Sequence, residues 1–425
     1  MDKKLTGMFR SLSVRNFRLF ATGQVVSVAG TWMMVMAQDW LVLSLTGDSG
    51  TALGTVTALQ FAPFLLLTLH GGRLADRYDK RRLLIAAGLV SGTLAGALTG
   101  LVLSGAVELW HVYLFALGLG TVNAVEVPTR MAFVGELVGA ELLTNASALS
   151  AAYFNIARVI GPGVAGLLVS VAGTGPVMLL NAVSYVATVL ALRMMRPAEL
   201  QLSAKPSDRP RTVDGLRHVT GRPDLLLPMA LVAVIGLFGF NFQLTLPLVA
   251  KTVFHTDATG FGLLTTAFAA GSLLAALATT ARRGRPSSRT VITAAFAFGL
   301  LTTVAGWAPG FLTAALLLAL TGFAAIYFAQ AANHRIQLGS DPRYRGRVMA
   351  LYTLVFQGST PLGALFVGRL SQEFGARSGL YVGGIVSLAA ATAAYGVQRT
   401  RRRRPRSERP TPSHQPSRSE GAYRR

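Results

Sequence analysis

The chain has 425 residues, of which 52% are hydrophobic and 14% are charged, and its mean hydropathy is +0.48. Soluble domains usually carry about 25% charged residues and cannot bury this much apolar surface. Disorder over most of the chain is also excluded, because disordered segments are poor in hydrophobic residues. The composition therefore predicts an all-α, polytopic membrane protein in which lipid takes the place of water.

Twelve apolar runs follow one another along the chain, each bounded by charged residues or by glycine and proline. They fall near residues 17–45, 51–70, 83–104, 109–129, 143–171 and 176–195, and then near 225–250, 258–281, 290–308, 311–333, 346–371 and 378–397. A helix needs about 20 such residues to cross a bilayer. We therefore predict twelve transmembrane helices in two pseudo-symmetric six-helix bundles, at 1–195 and 225–397. A cytoplasmic linker (196–224) joins them, and a disordered basic tail (398–425) follows.

The basic residues are distributed unevenly between the two sides that these spans define. Alternation of the spans puts 36 of the 40 Lys and Arg residues on the side that carries both termini and the linker. Cytoplasmic loops are enriched in Lys and Arg, so this side is predicted to be cytoplasmic in a bacterial-type plasma membrane. We expect the basic loops and tail to attract anionic lipid headgroups. Nucleic-acid binding by the tail is the less favoured alternative, and a monomer is expected.

Several kinds of chemistry have no support in the sequence. Cysteine is absent, which excludes disulfides, thiolate metal sites and cysteine nucleophiles. The six histidines form no HExxH motif or other close pair, so no metal site is expected. No GxxxxGK[ST] segment for ATP phosphates and no persuasive Ser/His/Asp order is present. We therefore expect neither an enzyme nor a bound cofactor.

The two halves resemble each other weakly. At a constant offset of 208 residues, Gly54 matches Gly262 and Arg77 matches Arg285. Such matches in corresponding spans and loops favour a duplicated six-helix unit, an arrangement typical of transporters whose site lies between the halves.

The loop after the second span combines glycines, an acid and a basic run over positions 71–83. Its glycines allow close helix approach, and Asp76 lies among five basic residues. The segment closely resembles the G-x-L-A-D-R-x-G-R-R motif of the major facilitator superfamily, although Asp79 stands where that motif has a glycine. Span count, linker and charge distribution agree, so the chain is identified as a member of this superfamily.

The resemblance implies that this motif forms a gate that closes the cytoplasmic side. Gly72, Asp76 and Arg77 then belong to the gate. It also implies that Lys80 pairs with an acid at the end of the fourth helix, for which Glu126 is the candidate.

Glu126 also begins the segment Glu126-Val127-Pro128-Thr129-Arg130. This segment resembles the acid-x-Pro-x-Arg element of the siderophore- and macrolide-exporter branch of the superfamily, and through it Arg130 joins the predicted gate. Two roles for Glu126 stay open, a gate salt bridge and a proton carrier.

The fifth predicted span contains a row of glycines around a proline. Proline removes a backbone hydrogen bond and bends a helix, while glycines allow tight packing. Gly161, Pro162 and Gly166 partly resemble the Gly-Pro-rich motif of superfamily antiporters, with Ala157 where a glycine is usual. This helix-bend motif favours export over import, and an ordinary kinked span is the alternative.

Two charged side chains inside the spans are candidates for function. A central arginine costs at least ~2.5 kcal/mol on insertion scales, so Arg158 should face a cavity or a partner. It can bind a polar substrate group, pair with Asp39, or bond to helix carbonyls as a structural arginine. Asp39 is a proton-coupling candidate because burial disfavours a charged carboxyl. A solvated position at the outer interface is the alternative.

Nine further side chains in the predicted spans are candidates to line a central cavity. They are Gln24, Trp32, Tyr153, Asn155, Asn241, Gln243, Tyr327, Gln330 and Gln357. Polar groups in spans face a cavity or satisfy one another across helices. With Arg158, these residues form the predicted substrate-binding set.

The predicted function is secondary transport by alternating access at a site between the bundles. By resemblance, the favoured activity is proton-antiport efflux of a hydrophobic or amphipathic small molecule such as a drug, a macrolide or a siderophore. A proton-coupled nutrient importer of the same fold, a non-transporting membrane receptor and, least favoured, a membrane-embedded enzyme are the alternatives.

Overall fold

The computed structural model describes residues 9–201, 212–280 and 284–403, and nearly all of these residues are helical. The predicted all-α membrane fold is confirmed, since eleven helical segments within these ranges are long and apolar enough to cross a bilayer. In the first half they are α1 (Arg15–Leu45), α2 (Gly50–Arg77), α3 (Lys80–Leu103), a long run (Leu109–Ala172) and α6 (Thr174–Arg193).

The long run contains two spans that meet at Gly139. A straight helix of its 64 residues would measure about 96 Å, roughly three times the bilayer core. Gly139 has φ 71° and ψ −179°, a conformation that is essentially restricted to glycine. Residues 109–138 are named α4 and residues 140–172 are named α5, which gives twelve spans.

The second half begins with α7 (Pro223–Val253), which consists of Pro223–Phe238, Phe242–Leu248 and a π-helical turn, Val249–Val253. The remaining spans are α8 (Ala258–Thr280), α9 (Ser288–Gly306), α10 (Phe311–Gly339), α11 (Arg345–Phe374) and α12 (Ser378–Arg403). The two halves meet mainly along two helix pairs, α2 with α11 and α5 with α8.

The predicted linker and tail differ from the structure in their details. The linker contains a short helix, Thr212–Thr220, on which the His218 ring stacks against Tyr344 of the segment before α11 with centroids 4.6 Å apart. The tail boundary predicted at 398 falls inside α12, because arginine is a good helix former and the helix continues to Arg403. Residues 202–211 and 404–425 lie outside the described ranges, as do residues 281–283.

Replacing Gly139 by Ala is expected to lower the stability by about 1–3 kcal/mol, because a side chain is strained at this φ and ψ. The new Cβ would also collide with the side chain of Gln201. The backbone amide of Gln201 donates a hydrogen bond to the Glu136 carbonyl (2.8 Å), which holds this residue in place. Unfolding of the purified protein in an SDS titration measures the change. Gly96→Ala in α3 is the control, since nothing lies within 4 Å of a Cβ there. Equal stabilities of the two variants would contradict the prediction.

Candidate substrate cavity and its gates

A cavity of about 280 Å³ lies between the two halves. Helices α1, α2 and α5 line it on one side, and α7, α8, α10 and α11 line it on the other. Its aromatic side chains are Trp32, Phe61, Phe240, Phe242, Phe261, Phe268 and Phe356, and its polar ones are Asp39, Thr57, Arg158, Asn241, Gln243, Thr265, Gln357 and Thr360. A mostly apolar wall with a few polar groups is typical of a small-molecule site.

One face of α1 carries Asp39 into this cavity. Trp32, Val35, Met36 and Asp39 all line it and follow the i, i+3, i+4, i+7 spacing of a single helix face. Asp39 is only 1% exposed, and neither carboxylate oxygen has a hydrogen-bond partner among the described residues. Asp39 is therefore not a solvated interfacial residue. A carboxylate buried in this way is costly unless a proton or the cation of a ligand neutralises it.

Arg158 on α5 lines the same cavity and forms neither an ion pair nor a side-chain hydrogen bond with any described residue. It is therefore not held by helix carbonyls. The predicted pair with Asp39 is also not formed. α1 and α5 run side by side with Gly161 against Trp32, which places Arg158 near the middle of α1 and Asp39 several turns further on. The two side chains face one cavity at different levels.

α7 is interrupted where it passes the cavity. Its helical backbone stops after Phe238 and resumes at Phe242. The interruption presents Asn241 and Gln243 to the cavity, together with neighbouring phenylalanine rings. Discontinuous helices near the membrane midplane are common substrate sites in secondary transporters. The signal in the sequence is the Gly-Phe-Asn segment within an otherwise apolar run.

The structure divides the predicted substrate-binding residues into two groups. Those that line the cavity are Trp32, Arg158, Asn241, Gln243 and Gln357, and Asp39 and Pro162 join them. Those that do not line it are Gln24, Tyr153, Asn155, Tyr327 and Gln330, and the proton-coupling candidate Glu126 is also outside it. The aromatic residues from α7, α8 and α11 that line it were not predicted.

The polar residues outside the cavity have other partners. Gln24 accepts a hydrogen bond from Arg130 (3.3 Å), and Asn155 donates to a carbonyl of its own helix (2.8 Å). Gln330 accepts from the Thr279 hydroxyl, and Tyr327 stacks on Phe323 of the same helix. Tyr153 packs against a core cluster formed largely by α1 and α4. These contacts satisfy polar groups within one half of the protein.

The bundle has two ends. The segment 71–83, predicted as a loop, is helical except at residues 78–79, which form the α2–α3 loop between Arg77 of α2 and Lys80 of α3. This loop lies at the basic end, and the α1–α2 loop lies at the opposite end. At the opposite end the halves approach closely through glycines. A Cβ on Gly54 would lie 2.5 Å from the Ala364 carbonyl oxygen of α11, and a Cβ on Gly262 would lie 2.5 Å from the Pro162 carbonyl oxygen. These contacts close the cavity at the opposite end.

Polar contacts reinforce this closure. Lys251 of α7 lies 2.6 Å from the Asp48 carboxylate of the α1–α2 loop and over the ring of Trp40. Ser170 of α5 accepts hydrogen bonds from the amide (3.1 Å) and the hydroxyl (2.9 Å) of Thr259 at the start of α8. Each contact joins the first half to the second.

Asp257 precedes α8 at the same contact and accepts a hydrogen bond from the Gly260 amide (3.1 Å). Burial tends to raise the pKa of the Asp257 carboxyl, but this bond and the hydroxyls of Ser170 and Thr259 outweigh it, so the pKa lies below its usual range. A lowered pKa in the folded state means that the stabilisation is complete at neutral pH and is lost only as the pH falls through that value.

At the basic end the ion pair of Lys80 differs from the prediction. Lys80 Nζ lies 2.6 Å from Glu136 Oε1, with the two side chains 18% and 6% exposed. Glu126 instead pairs with Arg130, one turn away on the same helix (3.4 Å). The reason is helix geometry, because Glu126 lies ten residues earlier in α4 and so about 15 Å deeper along its axis.

Two other details of the segment 71–83 are specific to this chain. Asp79, where the family motif has a glycine, caps α3 by accepting a hydrogen bond from the Arg82 amide (2.8 Å). The close approach to α4 is made by Gly71, whose Cβ would collide with the backbone of that helix. A Cβ on Gly72 would meet nothing within 4 Å.

Asp76 and Arg77 are both exposed, and Asp76 has no ion-pair partner within the described ranges. The guanidinium of Arg77 lies over the ring of Tyr78, 5.7 Å from its centroid.

Comparison with known proteins gives a family match along nearly the whole chain. A family model described as transmembrane secretion effector matches residues 6–416. The staphyloferrin A transporter of Staphylococcus aureus is 28% identical over 61% of this chain and 66% of its own length. The multidrug efflux pump Tap of Mycolicibacterium fortuitum is 27% identical over 82% of this chain and 87% of its own. The macrolide efflux protein A of Streptococcus pyogenes is 26% identical over 82% and 88%.

Solved structures share the fold at low identity. A bacterial homologue of the human lysosomal transporter Spinster, inward-facing and occupied, has a TM-score of 0.70 at 14% identity over 91% of this chain and 97% of its own. An inward-facing bacterial homologue of the iron transporter ferroportin has a TM-score of 0.67 at 17% identity, covering 91% and 98%. Both likenesses concern the fold alone.

Proposed function

The chain belongs to the transmembrane secretion effectors of the major facilitator superfamily, and we propose that it exports a hydrophobic or amphipathic small molecule in exchange for protons. Its family and relatives are multi-pass membrane transporters, and it is not an enzyme. The observation that carries the proposal is Asp39, a carboxylate buried without a partner in the wall of a mostly apolar cavity.

Asp39 is the proposed coupling residue. A proton neutralises it when the cavity is empty, and a substrate that enters competes for the same site because either occupant removes the cost of the buried charge. Protons and substrate then occupy the cavity alternately, which is the requirement for antiport. Glu126 is the second candidate, although it lies outside the cavity and next to Arg130.

The charges and the closed end support loading of the substrate from the cytoplasm. We infer that the basic end is cytoplasmic, since its loops hold most of the Lys and Arg residues. The cavity then faces the cytoplasm in this conformation, because the contacts of α2 with α11 and of α5 with α8 close the other end. Substrate would load from the cytoplasm of a bacterial cell.

The α2–α3 loop is proposed to form the cytoplasmic gate. Asp76 is exposed near the end of α2 and has no ion-pair partner among the described residues, which supports a contact with the second half when the cytoplasmic side closes. Lys80 and Glu136 fix the loop against α4 within the first half. Gly161, Pro162 and Gly166 lie along α5 where it passes α1 and α8, which supports a role in movement between the halves.

Inside-out membrane vesicles test the antiport directly. With an acid interior and a pH-sensitive dye, addition of a macrolide, a lipophilic drug or an iron-free siderophore should release protons from wild-type vesicles. Asp39→Asn should abolish this release, because a neutral amide cannot exchange a proton.

Asp341→Asn is the matched control, since it removes a carboxylate from an exposed loop. Compound-dependent proton release that persists in Asp39→Asn would contradict the coupling role. Proton-driven uptake of a compound by whole cells would favour the importer.

A further inference from the structure

The cavity contains one acidic and one basic side chain, and neither has a partner among the described residues. Asp39 is fully buried with both carboxylate oxygens unbonded, and Arg158 forms no ion pair or hydrogen bond with any described residue. Charges in a mostly apolar environment are normally paired, because the cost of desolvation is otherwise not offset. Two unpaired charges of opposite sign in one small-molecule site therefore need an explanation.

The distance between the two residues explains why they do not pair. Trp32 on α1 lies against Gly161 on α5, and both helices run from the basic end to the opposite end. Asp39 lies seven residues beyond Trp32, and Arg158 lies three residues before Gly161. At ~1.5 Å of rise per residue, the two α-carbons are about 15 Å apart along the bundle axis. The acidic group therefore lies near the closed end of the cavity, and the basic group lies nearer the basic end.

Aromatic rings form much of the wall of the same cavity. The rings of Trp32, Phe261 and Phe268 line the cavity together with those of α7, and the amides of Gln243 and Gln357 add neutral polar groups. A ligand with a single charge would neutralise either Asp39 or Arg158 and leave the other, the buried Asp39 or the half-buried Arg158, without a counter-charge. A ligand with both charges would neutralise both, provided that a rigid apolar body separates them.

We propose that this transporter prefers substrates that carry a cationic group and an anionic group at opposite ends of an aromatic or alicyclic body. The cationic group contacts Asp39 near the closed end, and the anionic group contacts Arg158 near the basic end. The proposal rests on the transport function above and names the class of substrate for the same cavity. It also gives the exchange a physical form, since the cation of the substrate takes the place of the proton on Asp39.

Three related probes test this preference: a fluoroquinolone with a free piperazine and a free carboxylate, its methyl ester, and its N-acyl derivative. The first carries both charges, the second only the cation and the third only the anion, on one rigid ring system. Binding to purified protein in nanodiscs is followed by the intrinsic fluorescence of the quinolone. Wild-type protein should bind the doubly charged probe about tenfold or more tighter than either singly charged one.

Two variants test which side chain contacts which charged group of the probe. The Asp39→Asn protein should bind the doubly charged probe and the anion-only probe with equal affinity. The Arg158→Gln protein should bind the doubly charged probe and the cation-only probe with equal affinity. Arg158→Lys keeps the charge and should retain the wild-type order. Thermal unfolding of each variant checks that the protein is folded, and the comparison of the three probes on wild type needs no variant.

Equal affinities of wild type for the three probes, within about twofold, would overturn the proposal. So would a uniform loss of affinity for all three probes in both variants, because a merely structural role produces that result. Binding requires no proton gradient, so the two proposals fail separately. If the three probes bind with the expected order but no compound releases protons from vesicles, antiport alone is contradicted. If compounds release protons but the three probes bind with equal affinity, only the charge preference is contradicted.

Discussion

A disulfide between α5 and α8, formed after Ser170→Cys and Thr259→Cys, is expected to stop transport, and its reduction is expected to restore transport. The two side-chain oxygens are 2.9 Å apart in the closed contact between the halves. A covalent bond there would prevent the cavity from opening at the opposite end, which alternating access requires. We expect the export rate to fall by more than about tenfold, because no turnover can be completed without that opening.

The chain is well suited to this experiment because it contains no cysteine, so that only the two introduced thiols can pair. Bridged cysteines have β-carbons about 3.5–4.5 Å apart, a separation compatible with two hydroxyls in hydrogen-bond contact. Export by proteoliposomes is measured before oxidation, after oxidation and after reduction. Mass spectrometry of proteolytic fragments verifies the bond.

The control pair is Ser287→Cys with Thr290→Cys. These side-chain oxygens are also 2.9 Å apart, but Ser287 caps α9 and Thr290 lies in its first turn, so both belong to one half of the protein. Its oxidation should leave export unchanged. Full export by the oxidised α5–α8 pair would refute closure at this contact, and loss of export in either single variant would indicate damage rather than locking.

The membrane fold could be predicted because it depends on local composition. A run of about 20 apolar residues must be helical in lipid, whatever its neighbours are. The bend at Gly139 falls in the gap between the predicted spans 109–129 and 143–171, so even the long helical run Leu109–Ala172 agrees with the sequence. α12 continues to Arg403, beyond the predicted span 378–397, because a basic helix that leaves the membrane has no apolar pattern.

Charge identified Asp39 and Arg158, whereas neutral polarity identified cavity residues such as Asn241 together with residues that lie elsewhere. Asp39 and Arg158 were singled out because a charge in a span is costly, and both line the cavity. The glutamines illustrate the difference. Gln243 and Gln357 line the cavity, while Gln330 bonds to Thr279 within the second half. The rotation of each helix about its own axis determines whether a glutamine faces the cavity or a neighbouring helix. This rotation is set by packing between the spans.

Phenylalanine gave no signal for a similar reason. The chain has 22 phenylalanines, and those that face lipid are chemically identical to those that face the cavity. The partner of Lys80 was missed because both Glu126 and Glu136 lie on α4, and only the depth of each residue along that helix selects Glu136. A family motif predicts that the partner of Lys80 is an acid on α4, but not where along that helix the acid lies.

Truncating either partner of the Lys80–Glu136 pair is expected to destabilise the protein more than truncating both. The pair is short and largely buried, so Lys80→Met or Glu136→Gln leaves one charge without its counter-charge. Such a change costs about 3–5 kcal/mol in buried pairs, and the partial exposure of Lys80 favours the lower value. The double variant removes both charges and should recover much of the loss. Unfolding of the four proteins in an SDS titration gives the coupling energy.

The Arg10–Glu141 pair provides the control, because its side chains are 63% and 85% exposed and its closest atoms are 3.5 Å apart. Exposed pairs contribute about 0–1 kcal/mol, so the same cycle of truncations should give almost no coupling there. Equal coupling in the two cycles would contradict the importance of burial. Export by the double variant then separates stability from gating. Near-normal export with restored stability means that the pair holds the α2–α3 loop on α4. Lost export means that the charges act in the gate itself.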